Sequence, residues 1–210
     1  MTADFGRFDL CLAGLVPGFG SESFALTGGI AVDYHLTAAG QRSIRTSIAD
    51  IDLVTTRPER FAMDRASGFL VSHFHLPGNG VPKALLQLVD PDTRLRIDVF
   101  PDLDDALASA RPGRVGKTSL QILGAEKILA HKLRTLECAS VSDPVDPKHF
   151  ADAVALAEIC GRPTPKRPLH LTSATYAVDV ATTCERCELS RTRRFPIAPK
   201  TAIFEILGYV

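Results

Sequence analysis

Apolar positions along this chain follow two rhythms. Up to about residue 120 they come in short runs separated by glycine, proline and acidic turns; beyond it they recur at helical spacing. Residues 8–16 predict a short helix, ended by Pro17 and the Gly18-Phe19-Gly20 turn. Phe24–Thr27 reads as a buried strand that runs into Gly28-Gly29, and Ile30–Leu36 then reads as helix. Asp50–Thr55 alternates and is β-branched, which predicts a strand. Pro58 predicts a helix start for residues 59–66. Three further strands are expected over 69–74, 84–89 and 94–100, with turns at Pro77–Gly80 and Asp90–Asp92. An acidic-headed helix is expected over 101–110.

In the second half, Ile122, Ala125, Leu129, Leu133 and Leu136 fall on one helical face. Asp146 and Pro147 look like the cap and first position of another helix, which stops at Gly161. The fold expected is α/β (α+β): residues 1–118 as a small mixed-sheet head, and 119–210 as a mostly helical C-terminal part.

Length and composition fit a globular chain: 210 residues, 45% hydrophobic and 23% charged, exclude a low-complexity or disordered array. The formal net charge is zero, so indiscriminate duplex binding is not favoured. Charge is nonetheless uneven. Residues 1–105 hold 9 basic and 14 acidic side chains, and residues 106–210 hold 15 and 10. That split suits a metal site facing a phosphate-bearing ligand, and equally two solvated surfaces. No apolar run approaches the ~20 residues of a membrane span, and the acidic N-terminus does not read as a signal peptide. A cytoplasmic protein without membrane partners is expected, and five cysteines argue against a disulfide framework.

The candidate chemistry lies in Leu26-Thr-Gly28-Gly29-Ile, Asp50-Ile-Asp52 and Arg96-Ile-Asp98. Period-two geometry puts Asp50 and Asp52 on one strand face, with Ile51 and Leu53 on the other. Asp98 follows the same alternation, so pairing of its strand beside Asp50–Thr55 would make three carboxylates converge. Adjacent carboxylates repel unless a cation intervenes, and oxygen donors select Mg²⁺ or Mn²⁺. Glycines at a strand-to-helix junction let phosphate approach backbone N–H groups at the helix start. Alone, either motif is most often a turn or a solvated strand edge.

Together these motifs resemble the polymerase-β-type nucleotidyltransferase superfamily, whose pattern is Gly-Gly or Gly-Ser, then Asp-x-Asp, then a third Asp on a neighbouring strand. Within it the chain is most similar to the AbiEii-like group of type IV toxin–antitoxin systems. Leu26–Val32, Ser119–Ala130 with Lys127, and Asp146–Val154 with Lys148 and Asp152 carry that likeness, over about residues 20–160. The resemblance implies an Mg-dependent transfer of NMP from NTP to an acceptor hydroxyl on tRNA or protein, in a toxin-like role with a cognate antitoxin as partner. Asp50, Asp52 and Asp98 would be catalytic and hold Mg²⁺. Gly28, Gly29 and Lys127 would bind nucleotide, and Lys132, Lys148 and Asp152 would support them or face the acceptor. Members often carry Arg-x-Ser/Thr-x-Asp-x-Asp, whereas Arg45 here stands five residues before Asp50. A catalytically inactive binding or assembly domain on the same fold is the alternative. An antibiotic-modifying enzyme is another, and it would favour an acidic pocket for a cationic drug.

Other motifs carry less. Gly113-Arg-Val-Gly116-Lys-Thr118 lacks the first glycine of a P-loop, that position being Arg111. His73 and His75 share a strand face, as ligands can, but read as hydrogen-bonded or solvent-facing side chains. Cys184 and Cys187 have zinc-knuckle spacing and would need Cys160 and His170 to complete four ligands; two reduced cysteines is the plainer reading. Arg186, Arg191, Arg193, Arg194 and Lys200 could grip RNA phosphates, an acidic partner, or only water.

Overall fold

A computed structural model describes residues 5–45, 47–66, 68–76, 84–138 and 145–166. Cys184, Cys187, His170, the turn at 77–80 and the basic segment from Arg186 lie outside the described residues. Seven strands form one mixed sheet: β1 (Phe24–Thr27), β2 (Asp50–Thr55), β3 (Leu70–His75), β4 (Leu85–Val89), β5 (Arg96–Pro101), β6 (Arg111–Val115) and β7 (Thr118–Ile122). Their order is β3-β4-β5-β2-β1-β7-β6. Four helices accompany them: α1 (Phe5–Leu15), α2 (Gly28–Ala38), α3 (Ala125–Glu137) and α4 (Pro147–Ile159). The expected α/β class is the one observed. Among the described residues, no helix is long and apolar enough to cross a membrane.

Strand alternation decides what each sheet face does. Leu26, Ile51, Leu53, Leu88, Ile97 and Val99 are fully buried and share one face. Phe8, Leu12 and Leu15 of α1 and Ile128 of α3 are buried in the same core cluster. The opposite face carries Thr27, Asp50, Asp52, Gln87 and Asp98. β2 and β5 are parallel with Asp52 beside Asp98, and β1 is antiparallel to β2 with Thr27 beside Asp52. β4 places Gln87 beside Asp98. A polar row therefore crosses the sheet from β4 to β1.

Two expected helices are not formed. Residues 59–66 contain only a 3₁₀ turn, Pro58–Arg60, after which buried Phe61 and Ala66 pin an irregular loop. In 101–110 only Ala106–Ser109 coils, also as 3₁₀. Asp104 and Asp105 take positive φ there, and the Asp102 carboxylate accepts from the Ala106 and Leu107 N–H groups. Acidic side chains that bond nearby backbone compete with helix, and this run holds three of them. The β6–β7 hairpin was not expected from the sequence. β6 is an edge strand, where Pro112 and Gly113 are tolerated. Val115 pairs Thr118 across Gly116-Lys117, and the Asp9 carboxylate accepts from the Lys117 and Thr118 N–H groups. The segment that resembles a P-loop is thus a hairpin turn. Asp146 caps α4 by accepting from Lys148 N at 2.9 Å, with Pro147 at the first helical position, as expected.

Candidate active site

The Gly-Gly turn is built by necessity. Gly28 opens α2 with φ of 65°, a conformation L side chains rarely adopt. A Cβ there would collide with the Asp52 carboxylate. The backbone of the first α2 turn therefore sits directly against Asp52, and Thr27 makes no side-chain cap to its N–H groups. Gly28→Ala is expected to cost roughly 1–3 kcal/mol and to move Asp52. Thermal denaturation in parallel with Gly29→Ala checks it; an unshifted melting temperature in Gly28→Ala would show that the turn relaxes without strain.

Asp50, Asp52 and Asp98 lie on one face, as period two requires. Asp98 is buried and Asp52 half-buried. Burial first, then the charges of Asp50 and Asp98, push the Asp52 carboxyl up to about 6, against the pull of Lys132 and Arg96. Burial also raises Asp98, while the Gln87 bond and the charges of Arg96 and Lys148 draw it back. Gln87 Nε2 donates to Asp98 Oδ1 at 2.8 Å, and Ser72 Oγ donates to Gln87 Oε1 at 3.1 Å. The amide orientation of Gln87 is thereby set from both ends. Arg96 Nη2 lies 2.8 Å from Asp50 Oδ2 and 3.3 Å from Asp98 Oδ2.

Among the described residues no three His, Cys, Asp or Glu side chains are close enough, as placed, to hold a metal. The donor set still fits a hard divalent cation. Two carboxylates raise the pKa of a third, and a guanidinium already stands between Asp50 and Asp98 as a stand-in cation.

A second cluster braces the site from behind. Asp152 on α4 is fully buried, with Arg45 Nη2 2.6 and 2.7 Å from its two oxygens and Lys132 Nζ 2.8 Å from Oδ2. Arg45 also reaches Asp33 on α2 at 3.3 Å. Lys132 Nζ donates to His149 Nδ1 at 3.2 Å. Burial, then the charges of Lys132 and Lys148, lower His149 to about 4, so it is neutral and accepts that bond. Two cations thus balance two buried anions, and they tie α2, α3 and α4 together. The Arg45 guanidinium lies against the α2 start: a Cβ on Gly29 would be 2.5 Å from Arg45 Nε.

Lys148 does not pair with Asp152; it is exposed, 3.8 Å from Asp146. Lys127 Nζ donates to the Asp104 carbonyl at 2.7 Å and lines a cavity of about 530 Å³ that takes in Thr27, Val54 and Phe100 but none of the three carboxylates. His73 Nε2 and His75 Nδ1 share a hydrogen bond at 2.8 Å, as the plainer reading of that pair held. Gln87 and Arg96 were missed from the sequence, although Arg96 stands two residues before Asp98 and so on its face. Nothing local marks Gln87, because its pairing depends on β4 lying beside β5.

No protein-family model matches the chain, and no curated protein matches it. Among solved structures, the antibiotic-resistance factor ANT(2'')-Ia in solution is 17% identical, with a TM-score of 0.54 over 74% of this chain and 83% of that one. A crystal structure of ANT(2'')-Ia with adenylyl-2''-tobramycin is 18% identical over 75% of this chain and 90% of that one, TM-score 0.49. The lincosamide antibiotic adenylyltransferase LnuA, with lincomycin bound, is 15% identical over 74% and 94%, TM-score 0.45. At these identities the first likeness is one of fold: this chain has the fold of ANT(2'')-Ia.

Proposed function

We propose that the chain is a nucleotidyltransferase that moves an NMP from an NTP to an acceptor hydroxyl. The observation that carries this reading is the row in which Asp52 faces Asp98 in register, with Gly28 pressed onto Asp52. The fold shared with ANT(2'')-Ia supports it. Asp50, Asp52 and Asp98 would hold Mg²⁺ or Mn²⁺, which would neutralise phosphate charge and polarise the reacting phosphorus.

The chain's own residues do the rest. The open N–H groups of α2 at Gly28-Gly29 receive the phosphates, where the helix start favours negative charge. Arg45, whose guanidinium lies against Gly29, and Lys132, whose charge acts on Asp52, would offset the charge of the leaving pyrophosphate. The acceptor oxygen forms a bond to the α-phosphorus as the bond to pyrophosphate breaks. Its proton would pass to the Asp98 carboxylate, which Gln87 orients through Oδ1. Lys148, whose charge acts on Asp98, serves the acceptor side. The resemblance to the AbiEii-like group adds a tRNA or protein hydroxyl as acceptor, with a toxin-like outcome, a cognate antitoxin and a cytoplasmic setting.

Thermal stability with each of the four NTPs, with and without Mg²⁺, tests the reading. A nucleotide at 100 times its Kd adds about 2.7 kcal/mol. The gain is expected only with Mg²⁺, and to vanish in Asp50→Asn/Asp52→Asn. Stability indifferent to every NTP would remove the proposal.

A further inference from the structure

The cavity beside the carboxylates has its floor in the next row of the same sheet face. Val54 pairs Phe100, two residues beyond the Asp52–Asp98 pair, and Leu85 of β4 continues the row. Two strand residues span about 7 Å, so a small molecule lying there reaches the reacting position. Thr27, which also lines the cavity, precedes Gly28 directly. The opposite wall is one stripe of α3: Lys127, Ala130, His131 and Arg134, at i, i+3, i+4 and i+7. A volume near 530 Å³ suits a compact organic ligand.

Charge and placement select the occupant. Asp104 is the one acid among the described residues that line the cavity, and its carboxylate lies 2.8 Å from Arg134 Nη2. A polycationic amino sugar would meet Lys127 and Arg134 with no carboxylate left to itself. Apolar Val54, Phe100 and Leu85 offer a surface to a flat or apolar body, and the α3 cations suit an acidic group. In-line displacement also requires the attacking oxygen opposite the departing pyrophosphate. The cations for pyrophosphate, Arg45 and Lys132, belong to the α2–α3–α4 cluster. Neither lines the cavity, which reaches Leu85 and His75 on β4 and β3.

The geometry points to this cavity as the acceptor subsite, taking an acceptor with an aromatic body and an anionic group, not a polycationic amino sugar. This inference rests on the nucleotidyl-transfer reading and puts a small molecule in place of the tRNA or protein acceptor.

The test uses the full chain saturated with Mg²⁺ and the nucleotide that stabilises it most, titrated with 8-anilinonaphthalene-1-sulfonate as an aromatic anion. One saturable dye site is expected while nucleotide stays bound. Ala130→Trp, which fills the cavity from an exposed helix position, is expected to weaken the dye at least tenfold. Arg134→Glu should weaken it several-fold. Both variants should keep the nucleotide-dependent stabilisation. Displacement of the dye by nucleotide would assign the cavity to the nucleoside and overturn the inference. Unchanged dye binding in Ala130→Trp would also overturn it, as would tobramycin displacing the dye from the wild-type chain. A dye site lost in Ala130→Trp in a chain that no nucleotide stabilises would sink the transfer reading, and with it the acceptor role, while leaving the cavity's preference for aromatic anions standing.

Discussion

Asp52→Asn is expected to raise the melting temperature of the metal-free protein while abolishing nucleotidyl transfer. The Asp52 carboxyl is pushed from 3.8 up to about 6, by burial first and then by Asp50 and Asp98. A carboxyl that holds its proton more tightly folded than unfolded favours folding in acid. Its contribution is neutral to the native state below about pH 4. As the pH climbs to about 6 the half-buried group must ionise against its surroundings, and stability is lost across that window. Above pH 6 the full penalty remains. Two pKa units correspond to at most about 3 kcal/mol, so the amide should recover roughly 2 kcal/mol, or about 5 °C for a chain of this size. Scanning calorimetry at pH 7.5 and pH 4 checks it: the gain should be present at the first and nearly absent at the second. An Asn variant that melts below wild type at pH 7.5 would show that the carboxylate is not under strain. The transfer rate should fall at least a thousandfold, and Mg²⁺ should no longer raise stability. Stability set aside at a site is a common cost of function.

The carboxylate row is legible in the sequence because alternation is local. Asp50, Ile51, Asp52 and Leu53 assign their own faces, and Ile97-Asp98-Val99 does the same. What alternation does not state is which strand lies beside which. The register of Asp52 with Asp98 and of Gln87 with Asp98 exists only because β5 inserts between β2 and β4. Gln87 therefore carries no sequence signal. Arg45 was obscured for a different reason. Its spacing from Asp50 departs from the pattern of the superfamily that the sequence resembles, yet it sits in an irregular connection between α2 and β2, and Asp33 and Asp152 fix its head wherever the chain enters. The expected helix at 101–110 fails where the Asp102 carboxylate bonds nearby backbone N–H groups, and that at 59–66 stops after one 3₁₀ turn closed by the Phe61 N–H on the Pro58 carbonyl. The missed hairpin fails the usual strand signals because an edge strand can hold Pro112 and Gly113.

Substitution of Asp152 is expected to cost the fold several kcal/mol. Its carboxylate is fully buried and receives Arg45 on both oxygens and Lys132 on one. Removing it leaves two cations in a packed interior with Asp33 as their remaining acid. Breaking a buried ion pair from one side costs about 3–5 kcal/mol, mostly as the penalty on the partner left behind. Asp152→Asn and Asp152→Ala are therefore both expected to lower the melting temperature by roughly 10 °C, the similar size of the two showing that charge rather than volume decides. Lys148→Ala, at an exposed position on the same helix, is the control and should stay within about 1 °C. In the Asp152→Asn background, Lys132→Met should recover part of the loss, since it removes one of the stranded charges; a double-mutant cycle reads that coupling directly. If both Asp152 variants melted like wild type, the cluster would not be what joins α2, α3 and α4. The consequence reaches the site, because Lys132 also draws down the Asp52 carboxyl and Arg45 lies against the α2 start. A chain that folds at low temperature without Asp152 should therefore bind Mg²⁺–nucleotide more weakly, although Asp152 itself touches neither. On the proposed reading, that separates Asp152, which holds Arg45 and Lys132 in place, from Asp52, whose own carboxylate would take part in the chemistry.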